Sequence, residues 1–124
     1  MSSESLHEPA EKLSPATIDR HRATVSLMEE LEAVDWYDQR VDAATDAELK
    51  AILRHNRDEE KEHAAMVLEW LRRQDPVLDQ QLRTYLFKDG DIVSVEAEAE
   101  GGGGDDASEG CLGIGDLRSE EVAP

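Results

Sequence analysis

Cysteine is nearly absent from this chain: Cys111 is the one thiol in 124 residues. That excludes an internal disulfide framework and a cysteine-based zinc site, and it fits a reducing compartment. Basic residues are scarce as well, 13 Lys and Arg against 30 Asp and Glu, for a formal charge of −17. Nucleic acid requires basic patches, so it is not an expected partner, whereas cations are. No stretch approaches the roughly 20 apolar residues of a membrane span. No apolar core near the N-terminus reads as a secretory signal.

The charge that is present is unevenly placed. Met1–Lys88 carries 19 acids and 12 bases, and Asp89–Pro124 carries 11 acids and 1 base. Without that tail roughly 75 foldable residues remain, near the limit for one self-sufficient core. A chain this short is expected to complete itself by oligomerising.

The periodicity is helical. Ser14-Pro15 reads as an N-cap followed by proline at the first helical position. From Pro15 to about Val41 there is no glycine and no further proline. Leu27, Leu31, Val34 and Val41 recur at helical spacing, with Ile18, Val25 and Met28 on an adjoining stripe. Thr45 with Glu48 reads as a capping box opening a second helix, whose apolar side is Leu49, Ile52, Leu53, Val67, Leu68 and Leu71. Asp75-Pro76 ends it and starts a shorter third helix that runs towards Phe87, with Gly90 as a stop signal. The short connection between the two long helices predicts an antiparallel hairpin. Ile92–Val95 is too brief to assign. Glu96–Cys111, acidic and rich in glycine, reads as a flexible linker. The expected organisation is therefore a helical domain over 1–95, a linker over 96–111 and a terminal peptide over 112–124. Apolar residues return in that peptide after a spacer, which suggests docking.

Three polar residues fall on apolar stripes. The second helix runs Leu49, Ile52/Leu53, Asn56, Glu60, His63, Val67, Leu71 at spacings of three and four, which places Glu60 and His63 on the side that packs. On the first, Glu30 lies among Leu27, Leu31 and Val34. Burying an unpartnered carboxylate costs several kcal/mol or more, and a metal ion offsets that cost. An oxygen-rich set with one imidazole suits iron or manganese rather than structural zinc. Ferritin-like di-iron bundles use two helices with one Glu each and two with Glu-x-x-His. This chain has one of each, Glu30 and Glu60-Lys61-Glu62-His63, which is half a site. A two-fold dimer presents the same residues twice and restores the whole. Against this stands a blander reading, in which Glu-x-x-His arises by chance on a Glu-rich helix and His63 is a satisfied core histidine. Tyr37, two turns beyond Glu30, is a candidate to orient a ligand through its hydroxyl, or else a packed aromatic.

The runs Met28–Arg40 (MEELEAVDWYDQR), His55–Met66 (HNRDEEKEHAAM) and Leu82–Phe87 (LRTYLF) resemble those of the encapsulated ferritins. The resemblance covers Leu6 to about Glu100. The terminal stretch Leu112, Gly113, Ile114, Gly115, Asp116, Leu117, Arg118 is similar to peptides that target cargo into encapsulin shells, and departs from them at Asp116. The resemblance implies an all-α protomer: a two-helix hairpin with a short C-terminal helix and a disordered C-terminal tail. Two protomers form a ferritin-like four-helix bundle, and the dimers assemble into a ring, a decamer in the family. It implies a ferroxidase that oxidises Fe(II) at a di-iron centre, two irons per dimer, within an encapsulin nanocompartment in the bacterial cytoplasm, where the iron is stored as mineral. By position, Glu30, Glu60 and His63 match the iron ligands. Glu29 and Glu32 match a site where iron enters, with Trp36 and Tyr37 flanking it. His55, Glu59 and Glu62 match a secondary metal site, for which calcium is a second candidate ion. The competing expectation is a non-catalytic helical cargo or scaffold protein whose acids only keep it in solution.

Overall fold

The computed structural model describes residues 5–106, and among these every regular element is helical. After a short 3₁₀ turn at Ala10–Lys12 come α1 (Pro15–Ala43), α2 (Ala47–Gln74), α3 (Pro76–Tyr85) and α4 (Ile92–Asp106). The chain divides at Gln74/Asp75 into two compact units. No described helix is long and apolar enough to cross a membrane.

The first unit is the hairpin of α1 and α2. Its start is as the sequence predicts: Ser14 accepts a hydrogen bond from the Thr17 backbone N–H at 3.1 Å, and Pro15 occupies the first turn. The second helix is capped differently. Asp46, not Thr45, accepts the Leu49 backbone N–H, at 2.9 Å. The carbonyl of Asp46 also takes the Lys50 N–H at 2.9 Å, so the helix begins one residue later than a Thr45 capping box requires. Aspartate satisfies an orphan amide as well as threonine and adds a favourable charge at the positive helix end.

Packing between the two helices is thin. Among the described residues, Val41, Ala64 and Leu71 form the buried apolar set. Ile18, Val25, Leu27, Val34, Leu53, Val67 and Leu68 are half-buried along the same seam. Met28, Leu31, Leu49, Ile52, Met66 and Trp70 stand exposed, with Leu31 at 55 % and Met66 at 58 %. The predicted stripes are thus split in two: one edge faces the neighbouring helix, the other faces outward. Near the end of α2, Arg72 and Arg73 both hold Glu69 at 2.7 Å, and these bonds pull its carboxyl down to about 2.

The second unit holds α3 and α4. Asp75 caps α3 by accepting the Val77 and Leu78 amides at 3.0 and 3.1 Å. This helix ends at Tyr85, ahead of Phe87, which adopts a left-handed φ of 60°. Gly90 follows with φ 94°, a conformation glycine takes without a steric penalty. Asp91 then accepts from the Ser94 amide at 3.1 Å and starts α4. That helix enters the segment whose composition reads as a linker. Its first part, rich in Ala and Glu, favours helix once a cap has nucleated it. The Tyr85 hydroxyl is pushed up by desolvation and by Glu96 and Glu100 of α4. The terminal peptide, with Cys111 and the targeting residues Leu112 to Arg118, lies outside the described residues.

Candidate metal centre

The site is built where the two long helices face each other about midway along their length. Glu30 projects from α1, and Glu60 and His63, one turn apart, project from α2. Each offers a ligand atom, and these atoms all lie within 4.8 Å of one another. His63 Nδ1 is 3.1 Å from Glu60 Oε1 and 3.7 Å from Glu30 Oε1. Spacing along two separate helices therefore converges on one small volume. Among the described residues, no other group of three or more potential ligands is drawn together this closely.

These acids are among the less exposed of the chain. The side chains of Glu30 and Glu60 are 26 % and 25 % exposed, and His63 is 42 % exposed. They sit at the rim of the hairpin seam rather than within a closed core. Met66 and Trp70 continue along α2 from His63 at spacings of three and four, so the site borders the exposed apolar stripe.

The electrostatics are those of two carboxylates and an imidazole held close together. Glu30 is pushed above the ordinary carboxylate range, first by its hydrogen bond with Glu60, then by desolvation and by repulsion from Glu60. Glu60 is pulled down by hydrogen bonds with Glu30 and His63. His63 is raised, chiefly by its hydrogen bond with Glu60. Two carboxylates this close resist ionising together unless a proton or cation lies between them. Two carboxylate oxygens and an imidazole nitrogen suit a divalent transition metal such as iron or manganese. The cluster therefore fits the ion that the sequence pattern anticipates.

The remaining sequence candidates are arranged around this core. Glu29 and Glu32 are exposed on α1 beside Glu30, and the charge of Glu29 contributes to raising Glu30. Glu59 lies between two histidines of its own helix: one oxygen is 4.0 Å from His63 Nε2, the other 4.0 Å from His55 Nε2. Glu62 is exposed on α2. Tyr37 is half-buried, and its ring takes the Arg40 guanidinium at 5.4 Å from the centroid, a cation–π contact. Trp36 is 49 % exposed. One feature near the site has no counterpart in the sequence reading: Arg57, one turn before Glu60, reaches across to Asp38 on α1 at 2.9 Å. A basic residue beside the packed face, three residues ahead of an acid on the apolar stripe, was the available signal.

A model of the EncFtn-like family matches residues 5–89. An encapsulated ferritin-like protein of Rhodospirillum rubrum is 62 % identical, over 96 % of this chain and 91 % of its own length. A ferritin-like protein of Thermotoga maritima is 53 % identical, over 87 % of this chain and 93 % of its own. An encapsulin nanocompartment cargo protein of Myxococcus xanthus is 42 % identical over a shorter stretch, 42 % of this chain and 40 % of its own. The crystal structure of a protein from Nitrosomonas europaea superposes with a TM-score of 0.69 at 62 % identity, covering 71 % of this chain and 97 % of that one.

Proposed function

This chain belongs to the EncFtn-like family, the encapsulated ferritin-like proteins, and from that premise we propose that it is a ferroxidase. Its substrate is Fe(II), oxidised to Fe(III) with dioxygen as electron acceptor, and its product is stored as mineral within an encapsulin shell. The observation that carries this reading is the convergence of Glu30, Glu60 and His63 from two helices onto one volume.

One chain supplies two carboxylates and one imidazole, half of what a ferritin-like di-iron centre uses. The reading is completed by a second copy across a two-fold axis, so that two irons lie between two sets of ligands. The position of the site supports this. It borders exposed apolar residues, Leu31 at 55 % and Met66 at 58 %, which a second copy would cover. Iron supplies the one-electron chemistry, and the residues supply everything around it. Glu30 and Glu60 provide negative charge that favours the more highly charged oxidised ion. His63 provides a neutral nitrogen through Nδ1, the atom that faces both carboxylates. Glu29 and Glu32 raise the local concentration of Fe(II) by attraction. His55, Glu59 and Glu62 form a weaker, outer cation site, and the terminal peptide docks the protein to the shell.

The test is iron oxidation in air. Adding Fe(II) to the wild-type protein gives a rapid rise in ultraviolet absorbance. Glu30→Ala, Glu60→Ala and His63→Ala each slow it at least about a hundredfold while retaining helicity, as loss of a ligand does. Unchanged rates in all three would overturn the proposal.

A further inference from the structure

Arg57 is a charged side chain that the proposed iron chemistry does not use. It precedes Glu60 by three residues on α2, and its side chain is 20 % exposed, while its partners Asp38 and Asp58 are each 57 % exposed. Its Nη1 donates to Asp38 Oδ1 across the hairpin at 2.9 Å, and its Nε donates to Asp58 Oδ1 at 3.1 Å on its own helix. Lys61 stands 3.7 Å from the same Asp58 oxygen. A guanidinium is planar and its donors are fixed relative to one another, so bonds made from two edges set its orientation.

What such a link does here follows from how thin the packing is. Val41, Ala64 and Leu71 are the buried apolar residues of the described chain. Apolar contact is non-directional, and so few side chains resist sliding or rolling of one helix on the other only weakly. One residue of roll turns a helix by about 100°, enough to carry Glu30 away from α2. The Glu30–Glu60 pair does not prevent this, because its two side chains carry charge of the same sign. The bond from Arg57 to Asp38 joins the same two helices with opposite charges and a defined direction.

We propose that Arg57 is a positioning residue of the metal centre: its bond to Asp38 fixes the register and roll of α1 against α2, and so holds Glu30 opposite Glu60 and His63 before an ion arrives. The inference rests on the reading of those three residues as metal ligands. Arg57 acts through Glu30 and touches no reacting atom. Surface ion pairs contribute little to global stability, so the effect is expected at the site rather than in the melting temperature.

Cobalt(II) binding to the full chain is the test, because its ligand-field absorption reports coordination geometry as well as affinity. Glu60→Gln is the reference. If it binds cobalt as the wild type does, the metal-centre reading itself fails, and this inference falls with it. Where Glu60→Gln abolishes binding, Arg57→Leu and Asp38→Asn are each expected to weaken it about tenfold and to shift the absorption bands, with far-ultraviolet dichroism unchanged. The reversed pair, R57D with D38R, is expected to restore most of the affinity and the wild-type bands. Binding within about twofold of wild type with unshifted bands in both single variants would overturn the proposal for Arg57 alone. So would a loss that the reversed pair does not recover, since the charges would then act separately on the ion. Should Arg57→Leu fail to fold, Asp38→Asn, altered at an exposed side chain, decides the matter.

Discussion

At the residue scale, the chemistry of the site turns on His63. Its Nδ1 lies 3.1 Å from Glu60, and that contact raises it above the ordinary 6.5. Only the neutral imidazole binds a metal. Under the proposed function a raised value extends proton competition to higher pH: metal binding is favoured above it and progressively lost as pH falls through it. Cobalt(II) affinity should thus decline on acidification with a midpoint above 6.5, measurable by titrating cobalt absorbance across pH. A flat response through neutrality would contradict this sign. Glu30 works in the same direction, since its hydrogen bond with Glu60 raises its carboxyl and so strengthens the competition of protons with an arriving cation. These three residues were legible in the sequence because polar groups on an apolar stripe break its periodic pattern. Asp38 and Arg57 were not, because a link between helices depends on how the two faces are turned towards each other, and side-chain spacing along one helix is silent on that.

At the scale of elements, boundaries are decided by which side chain reaches an orphan amide. Both Thr45 and Asp46 suit the start of α2, and the structure selects Asp46. Replacing Asp46 by Ala should destabilise the hairpin by about 1 kcal/mol, whereas Thr45→Ala should change it by only a few tenths. Urea unfolding followed by far-ultraviolet dichroism separates the two outcomes. The existence and extent of α1 and α2 were readable, since each carries more than six turns of pattern. The helix Ile92–Asp106 was not. Its glycines lower helix propensity by about 1 kcal/mol each, and composition alone weighs them more heavily than the Asp91 cap and the Ala/Glu stretch ahead of them.

At the scale of the whole molecule, the exposed apolar edge of the hairpin is the feature that a single chain leaves unresolved. Under the proposed dimer, placing charge there should break assembly and activity together. Leu31→Arg combined with Met66→Arg is expected to yield monomers in native mass spectrometry and to suppress iron oxidation, although no ligand has been altered. Retained dimers with full activity would show that the second copy sits elsewhere. The terminal peptide makes a separate prediction. Deleting Leu112 to Pro124 should leave iron oxidation intact and abolish loading into shells, checked by co-purification with the shell protein. Truncated protein still found inside shells would remove the docking role.

The sequence by itself determined the helical class, the hairpin and the family, and it singled out the three residues proposed for the metal centre, because each is written in local spacing or in contiguous motifs. Helical periodicity is a property of neighbours in the chain, and so is the conflict between a carboxylate and the apolar stripe that carries it. Only the tertiary structure decided how those stripes divide. It turned Val41 and Leu71 inward and left Leu31 and Ile52 outward, and it buried Ala64, which lies on neither stripe. It brought Glu30 within reach of His63 across a separation of 33 residues, at 3.7 Å, and it joined Asp38 to Arg57 beside them. The physical reason is that a helix fixes the angles between its own side chains but not its rotation about its axis. That rotation is set by the partner helix, through packing and through the few directed bonds that cross between them.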